Sequence, residues 1–405
     1  MGKTQEILRE RTMELVQKIK DTALWQVLKK IKRMSYYAFG KARRLFQGGG
    51  LNDRLERFDG KIFTPAIQKK IKRQLKNRSD IYFHDEKTAR NLAENWQGEI
   101  IRPQNLKFIE NAIPVVMSAN EYFAPYMAVM LQSLLDNSNP QRKYHFVLFE
   151  QNFSENTKIA LMDQMLKFPY CEIDFINTES ALDKIPIACE PDAHFSIDTF
   201  SRFFIPYWLE KYPKVIYLDG DMLAKADIAE LYDLDIQNNC MGAVLSPAVS
   251  TNVENRAYSF FGSRPIFLYL DNWLRYIQAG VLVFDTGRFR ERFSYSECFK
   301  LAIYYTNRHK RHFVDQDVLA LLVKEDYFVL PPEWNYSWYT PYTGYRPARQ
   351  DTKLFHYTTS VKPWKNLPEI ANNWDVLAYR NYAKTVSLFK QKIELDNEGI
   401  IPWEA

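Results

Sequence analysis

The amino-acid sequence predicts an α/β fold in which helices cover a parallel or mixed sheet. After Ala112, segments with strand patterns alternate with segments of helical periodicity. Strands are expected at 113–118, 144–149 and 172–176, and helices at 125–135 and 155–166. This alternation is typical of strands joined by crossover helices. Because ligands bind at the carboxyl ends of strands in such sheets, the functional residues are expected there.

Before this region, the chain is predicted to be basic and mostly helical. Apolar residues recur every three or four positions across 12–46, with lysine and arginine on the other side, and a glycine triplet at 48–50 ends the pattern. Two further helices are expected. One begins with the cap and proline at Thr64-Pro65, and the other follows Asp85 and ends near Trp96.

These patterns divide the 405 residues into three parts. The length exceeds that of one average domain, so a large domain with an appendage is expected. We predict a basic, mostly helical extension at 1–112, the α/β domain at 113–365 and a helical tail at 366–405.

The net charge of +5 is distributed unevenly. Residues 1–112 carry a balance of +12, whereas the remainder carries −7. Such a basic arm predicts docking on an anionic membrane or another polyanion, although a solvated helix face would have the same composition. The same helices could also form a homo-oligomer. Nucleic acid is not an expected partner, because the sequence contains no recognisable nucleic-acid-binding motif.

Cysteine usage and hydropathy predict a cytoplasmic location. The four cysteines, at 171, 189, 240 and 298, show no metal-binding or redox spacing, which indicates reduced thiols. The charged segment at 2–20 does not resemble a signal peptide, and no window approaches the roughly 18 apolar residues of a membrane span. Any membrane contact is therefore expected to be peripheral, on the inner face.

Two carboxylates follow the apolar strand at 214–218. Asp219 and Asp221 are separated by Gly220, and residues two apart in an extended chain point to the same side. Paired carboxylate oxygens suit Mg²⁺ or Mn²⁺, which complete their shells with water and substrate phosphates. The motif therefore predicts a metal that holds a phosphorylated small molecule. Asp-Gly-Asp is also a common turn sequence, and the motif alone does not decide between the two.

Three later segments add residues of suitable chemistry. His356 could supply an imidazole to the metal, and Lys362 a positive charge to phosphate. The strand at 276–285 contains small residues that permit close approach of another backbone. Asp315 and Gln316 lie at the start of a predicted helix. Each has an ordinary alternative, namely a structural histidine, a solvated lysine or a helix cap.

Taken in order, these segments resemble glycosyltransferase family 8, whose members include bacterial lipopolysaccharide galactosyl- and glucosyltransferases and glycogenin. The resemblance covers about residues 113–365. It implies a GT-A fold, a retaining reaction, a UDP-sugar donor and Mn²⁺ or Mg²⁺. It also implies that Asp219, Asp221 and His356 are the metal ligands and that Lys362 binds the diphosphate.

The resemblance assigns further residues to donor binding and catalysis. Tyr122 is expected to stack on uracil, and Arg202 to lie near the nucleotide and the acidic pair. Asp315 and Gln316 match the pair that contacts the sugar, with Gln316 beside the anomeric carbon; with Arg202 they are the expected catalytic residues. The other donor-binding positions that the resemblance implies are Ala119, Asn120, Gly220, Gln278, Ala279 and Thr359.

Three of these positions depart from the commoner family pattern. Ala119 stands where many members have an aspartate to uracil, Gln278 replaces an asparagine, and Thr359 occupies a position that is often glycine. These departures concern donor specificity, whereas the expected metal ligands are all present.

The expected activity is transfer of glucose or galactose from a UDP-sugar to a hydroxyl of a glycan, lipid-linked or lipopolysaccharide-type acceptor. Front-face attack is favoured, because Gln316 is a poor nucleophile and Asp315 only a candidate for one. Two alternatives stay open: a non-catalytic nucleotide-sugar or glycan-binding module of the same fold, and a metal-dependent nucleotidyltransferase. The second would be expected to carry a glycine-rich phosphate loop, and 118–126 contains no glycine.

Overall fold

The computed structural model describes residues 65–82, 84–188, 197–246, 264–309, 314–324, 326–337, 339–340, 344–345, 350–358, 361–365, 370 and 372–397. The chain divides into two compact units, Gly60–Thr340 with Pro347–Ala405 and Met1–Asp59 with Pro341–Arg346. The predicted helix at 12–46 and the glycine triplet at 48–50 lie outside the described residues. The expected division of the chain at residues 112 and 365 stays a prediction.

Two helices precede the α/β region, as the sequence predicts. They are α1 (Pro65–Lys76) and α2 (Glu86–Asn95). The Asp85 side chain accepts a hydrogen bond of 2.8 Å from the backbone N–H of Thr88, so it caps α2 at the expected place.

Twelve strands are formed by the described residues. They are β1 (Ala112–Asn120), β2 (Lys143–Gln151), β3 (Cys171–Asn177), β4 (Lys214–Leu218), β5 (Met222–Ala224), β6 (Met241–Leu245), β7 (Ile277–Asp285), β8 (Phe328–Val329), β9 (Tyr336–Ser337), β10 (Tyr339–Thr340), β11 (Gly344–Tyr345) and β12 (Leu354–His356). The three strands expected after Ala112 are β1, β2 and β3. The predicted alternation is therefore confirmed.

The remaining helices of the described part of the chain lie between and after these strands. They are α3 (Ala124–Asp136), α4 (Glu155–Met165), α5 (Glu179–Leu182), α6 (Ile205–Trp208), α7 (Ala229–Tyr232), α8 (Thr286–Arg292), α9 (Tyr295–Arg308), α10 (Asp315–Val323), α11 (Trp374–Ala383) and α12 (Ser387–Asn397). Short 3₁₀ helices occupy Ser79–Ile81, Ile197–Phe204, Pro265–Leu268, Trp273–Arg275 and Pro332–Trp334. Within the described ranges, no helix combines the length and apolarity that a membrane crossing requires.

A mixed sheet of seven described strands has the order β3-β2-β1-β4-β7-β6-β8. β1, β2, β3 and β4 are parallel, whereas β7 runs antiparallel to its neighbours β4 and β6. The central strands are apolar along their length, and Val115, Val116, Phe146 and Val147 are fully buried. Near-continuous apolar strands of this kind are typical of sheets covered by helices on both faces.

A smaller sheet of three described strands completes the region around residue 356. It has the order β5-β12-β9, with β12 antiparallel to β5 and parallel to β9. His356 at the end of β12 lies opposite Met222 of β5 and Ser337 of β9. A residue late in the chain is thereby placed beside the acidic motif that precedes Met222.

A buried hydrogen-bonded group joins β2 to β3. The two ring nitrogens of His145 lie 2.7 Å from the Tyr212 hydroxyl and 3.1 Å from Asp174 Oδ2. Asp174 also accepts from the backbone N–H of Lys107 at 2.9 Å. Burial acts to raise the pKa of Asp174, but the hydrogen bonds and charges of His145 and Lys107 outweigh it and lower this pKa to about 2.

We predict that Asp174→Asn lowers the free energy of unfolding by about 2 kcal/mol at pH 7. The pKa of the folded-state carboxyl is depressed, so its stabilisation is complete above the pKa of the unfolded state, near 4, and is lost as pH falls toward 2. Urea unfolding of both proteins at several pH values measures this. The difference should narrow below about pH 4, and a difference independent of pH would contradict the prediction. Asp163→Asn, at an exposed position of α4, is the control and should change stability by less than about 0.5 kcal/mol.

Candidate active site

The acidic pair lies at the carboxyl end of β4, where the fold class predicts a site. Asp219 follows β4 directly, and Asp221 precedes β5. His356 Nε2 lies 3.1 Å from Asp221 Oδ1 and 3.6 Å from Asp219 Oδ2. Each of the three residues offers one ligand atom, and these atoms all lie within 4.8 Å of one another. The structure therefore brings together the three residues that the sequence suggested as metal ligands.

Strand pairing explains how His356 reaches the acidic pair. The antiparallel ladder of β12 on β5 places it opposite Met222, and the backbone N–H of Tyr357 donates to the carbonyl of Asp221 at 3.0 Å. His356 is buried, with 2% of its surface exposed. The pairing of β12 with β5 therefore places His356 beside the acidic pair.

Gly280 of β7 leaves the space that these side chains occupy. Its carbonyl accepts from the backbone N–H of Asp219 at 2.9 Å, so the two backbones are in direct contact. A Cβ atom on Gly280 would lie 2.2 Å from His356 Cε1 and 2.7 Å from Asp219 Oδ2. Both distances are below van der Waals contact. The close approach expected from the small residues of this strand is present, and it is made to the acidic pair.

Two basic side chains contact the acidic pair. Lys362 Nζ lies 2.5 Å from Asp221 Oδ2, and Arg202 Nη2 lies 3.1 Å from Asp219 Oδ1. Burial acts to raise the pKa of Asp221, but the charges and hydrogen bonds of Lys362 and His356 outweigh it and hold that pKa well below its usual range. Asp221 is therefore ionised at neutral pH, the state that a metal ligand requires.

Arg202 connects the acidic pair to the start of α10. This buried residue belongs to the 3₁₀ helix Ile197–Phe204, and its Nε lies 3.1 Å from Asp315 Oδ2. Its guanidinium also lies 4.4 Å from the ring centroid of Tyr217. Burial acts to lower the pKa of Arg202, but the neighbouring acidic groups, Asp315 foremost, raise it above its ordinary value. Arg202 therefore remains charged.

Gln316 is hydrogen-bonded to β7, whereas Asp315 pairs with Arg202. Gln316 Oε1 accepts from the backbone N–H of Ala279 at 3.1 Å, and Gln316 Nε2 donates to the hydroxyl of Tyr276 at 2.7 Å. Burial raises the pKa of Asp315 despite the opposing charge of Arg202. The Asp315 side chain thus pairs with a buried cation, which a helix cap alone would not do. The catalytic roles of both residues stay predictions.

The residues expected at the nucleotide lie around the end of β1. Ala119 is buried, and Asn120 accepts from the backbone N–H of Phe123 at 3.0 Å. Tyr122 is 67% exposed, and Lys392 Nζ lies 4.3 Å from the centroid of its ring. Uracil stacking on Tyr122 stays a prediction. Thr359 lies outside the described residues.

Sequence reasoning missed several residues of this region. Tyr217 donates from its hydroxyl to Asp219 Oδ1 at 2.9 Å. It lies on β4 two residues before Asp219, so the alternation of side chains along an extended chain could have revealed it. Asn335, whose Oδ1 lies 2.9 Å from His356 Nδ1, and Lys392 are far from the motifs in sequence. No local pattern indicates either of them.

The donor atoms of the site fit a divalent cation. Two carboxylates and one imidazole are ligands that Mn²⁺ and Mg²⁺ accept, and three protein ligands leave positions for substrate oxygens. The site lies at the carboxyl end of a central strand, where open α/β sheets bind their ligands. Comparison with known proteins identifies the family.

The chain belongs to glycosyl transferase family 8, whose sequence pattern matches residues 114–367. A Haemophilus influenzae protein named as a glycosyltransferase is 25% identical over 219 residues, which are 52% of this chain and 59% of that protein. The lipopolysaccharide 1,2-glucosyltransferase of Escherichia coli is 23% identical over 291 residues, which are 65% of this chain and 79% of that protein. The resemblance inferred from the four motifs is thereby confirmed.

A solved structure shows the same fold. The galactosyltransferase LgtC, in complex with donor and acceptor sugar analogs, has a TM-score of 0.52 and 20% sequence identity, and the match covers 68% of this chain and 96% of LgtC. The predicted GT-A fold is confirmed. The chain spans little more than half the length of the Haemophilus influenzae relative, 59%.

We predict that Gly280→Ala lowers the free energy of unfolding by about 1–3 kcal/mol, because the added methyl group overlaps His356 and Asp219. Gly287→Ala is the matched control, since its Cβ would meet Asp285 Oδ1 at an ordinary 3.6 Å. Gly287 lies in the first turn of α8, where alanine should be neutral or slightly stabilising. Urea unfolding of the three proteins measures the difference. Equal stability of the two variants would show that the space beside Gly280 is not restricted.

Proposed function

We propose that this glycosyltransferase is a retaining, metal-dependent enzyme that moves glucose or galactose from a UDP-sugar to a hydroxyl group. The acceptor would be a glycan, a lipid-linked sugar or a lipopolysaccharide-type molecule. The observation that carries the proposal is the convergence of Asp219, Asp221 and His356, with their ligand atoms within 4.8 Å. Lys362 and Arg202 flank this group, and their positive charges support the proposal of a bound diphosphate.

The chemistry of sugar transfer accounts for these residues. The bond between the anomeric carbon and the diphosphate oxygen breaks, and the leaving diphosphate gains negative charge. A bound Mn²⁺ or Mg²⁺ supplies positive charge at the leaving group. Lys362 and the charged Arg202 lie on either side of the acidic pair and would stabilise the same developing charge. No residue is then needed to protonate the leaving oxygen.

The surroundings of Asp315 and Gln316 support front-face attack. Asp315 Oδ2 is engaged by Arg202 Nε at 3.1 Å, and both polar atoms of the Gln316 amide are hydrogen-bonded to β7 or Tyr276. Neither residue is arranged as a nucleophile that an adjacent base activates. We infer that the acceptor hydroxyl attacks from the side on which the diphosphate departs. A departing phosphate oxygen then accepts the proton of that hydroxyl.

The names of similar proteins support the proposed substrates. The Escherichia coli relative is a lipopolysaccharide 1,2-glucosyltransferase, and LgtC is a galactosyltransferase. Glucose and galactose differ only in the configuration of one hydroxyl. We therefore propose a hexose donor, with UDP as its carrier, and an acceptor on a cell-surface glycan or its lipid-linked precursor.

We predict that UDP binds only in the presence of Mn²⁺ or Mg²⁺ and that the chain releases UDP from UDP-glucose or UDP-galactose. Asp221→Asn should reduce this turnover by more than about a hundredfold, because it removes a charged metal ligand. Calorimetry with Mn²⁺ or with excess chelator measures UDP binding, and a coupled assay measures UDP release from a panel of UDP-hexoses and their N-acetyl forms.

The control for this experiment is Asp233→Asn, which removes a surface carboxylate paired with Arg142 at 2.8 Å and should leave turnover unchanged. UDP binding that is equal with and without chelator would refute the metal bridge. Metal-dependent UDP binding without turnover of any donor would instead favour the non-catalytic binding module.

We further propose that residues 1–46, which lie outside the described residues, bring the chain to the inner face of an anionic membrane. Basic residues near such a surface contribute about 1 kcal/mol each to the free energy of membrane binding, and burial of an apolar helix face adds to it.

The full chain should sediment with anionic vesicles more than with neutral ones, and less in high salt. Replacing the four basic residues at 29, 30, 32 and 33 by glutamine should weaken this binding. Equal sedimentation with both kinds of vesicle would favour the alternative, packing of these helices in a homo-oligomer.

A further inference from the structure

The second ring nitrogen of His356 is held by a buried side chain. His356 Nε2 faces the acidic pair, at 3.1 Å from Asp221, while Nδ1 lies 2.9 Å from Asn335 Oδ1. Asn335 is 5% exposed. It directly precedes β9, which pairs with β12 and places Ser337 opposite His356. The pairing of β9 with β12 therefore places Asn335 and His356 beside each other.

Asn335 is itself oriented by Gln278 of β7. Asn335 Nδ2 donates to Gln278 Oε1, and the same oxygen accepts from the backbone N–H of Gly280 at 2.7 Å. The carbonyl of Gly280 in turn accepts from the backbone N–H of Asp219. A continuous set of hydrogen bonds thus runs from the backbone beside the acidic pair to the imidazole of His356.

The direction of each hydrogen bond in this set follows from the backbone N–H of Gly280. A peptide N–H can only donate, so the atom of Gln278 that faces Gly280 is its oxygen. That oxygen accepts, so the atom of Asn335 that faces it is the NH₂ group. The other amide atom of Asn335, which faces His356, is then its oxygen. Nδ1 of His356 must therefore carry a proton, and Nε2, which faces the acidic pair, is the nitrogen that can bind a cation once it carries no proton.

We propose that Asn335 is a positioning residue of the metal site, which holds His356 with its proton on Nδ1 and with Nε2 directed between Asp219 and Asp221. Gln278 fixes the orientation of Asn335. The inference rests on the proposed metal-dependent function. Partners of this kind set the tautomer and the ring orientation of a ligating histidine, and their loss typically weakens metal binding about ten- to a hundredfold.

Metal affinity in the absence of nucleotide tests the role of Asn335. Asn335→Leu removes the acceptor at similar volume and should weaken Mn²⁺ binding by about tenfold or more, as followed by the electron paramagnetic resonance of free Mn²⁺. Asn335→Asp retains an oxygen facing Nδ1 and should keep most of the affinity. Asn307→Leu is the control, because Asn307 is a buried asparagine on α9 that donates to Pro186 and Ile303; its Mn²⁺ affinity should equal that of the unaltered chain.

The protonation of His356 provides a readout that a merely structural role would not change. In the ¹⁵N-histidine-labelled full chain saturated with Mg²⁺, His356 Nδ1 should give the shift of a protonated, hydrogen-bonded nitrogen. The chain has six histidines, and loss of one signal in His356→Gln assigns the resonance. In Asn335→Leu this proton should exchange rapidly with solvent. An unprotonated Nδ1 in the unaltered chain would overturn the inference whether or not the variants fold.

The two proposals fail in different ways. If the unaltered chain does not bind Mn²⁺, the proposed metal-dependent function is wrong and the inference falls with it. If it binds Mn²⁺ and Asn335→Leu binds equally well, the metal site stands and the role of Asn335 is refuted. Weakened binding in Asn335→Leu, with recovery in Asn335→Asp, supports the inference.

Discussion

Three acidic side chains converge at the end of β4, and the site exists because basic side chains offset their charge. Asp219 pairs with Arg202, and Asp221 pairs with Lys362. Burial without such partners would favour neutral carboxyl groups, which bind metal ions poorly. The third acid, Asp315, shares Arg202 with Asp219. One buried cation therefore links the acidic motif to the helix that carries the residues expected at the sugar.

β7 is the strand on which most of this arrangement depends. It runs antiparallel beside β4, and its backbone contacts Asp219 through Gly280 and both Arg202 and Gln316 through Ala279. Side-chain substitution does not change which backbone atoms donate and which accept hydrogen bonds. The backbone of β7 therefore sets the direction of the hydrogen bonds made to it. The orientation of the Gln278 amide, and through it that of Asn335, follows from one such hydrogen bond.

Tyr122 is contacted by a residue that lies outside the family pattern. That pattern ends at residue 367, whereas Lys392 of α12 lies over the ring of Tyr122. An ammonium at this distance from an aromatic face is attracted by the ring quadrupole. The ring that the family resemblance assigns to uracil is therefore already in contact with the C-terminal helix, at the end of β1 where Ala119 departs from the commoner aspartate.

The sequence by itself determined the α/β class, the positions of β1, β2 and β3, and the acidic motif, because periodicity and strand alternation are local properties. The order of four motifs also sufficed to indicate the family. It could not show that His356 meets Asp221, since that contact depends on the pairing of β12 with β5, two strands far apart in the chain. Nor could it show the contacts of Asn335 or the division of Arg202 between two carboxylates. These contacts form between buried groups from distant segments, which supply one another's hydrogen-bond partners and opposite charges. Only the tertiary structure decided which groups meet.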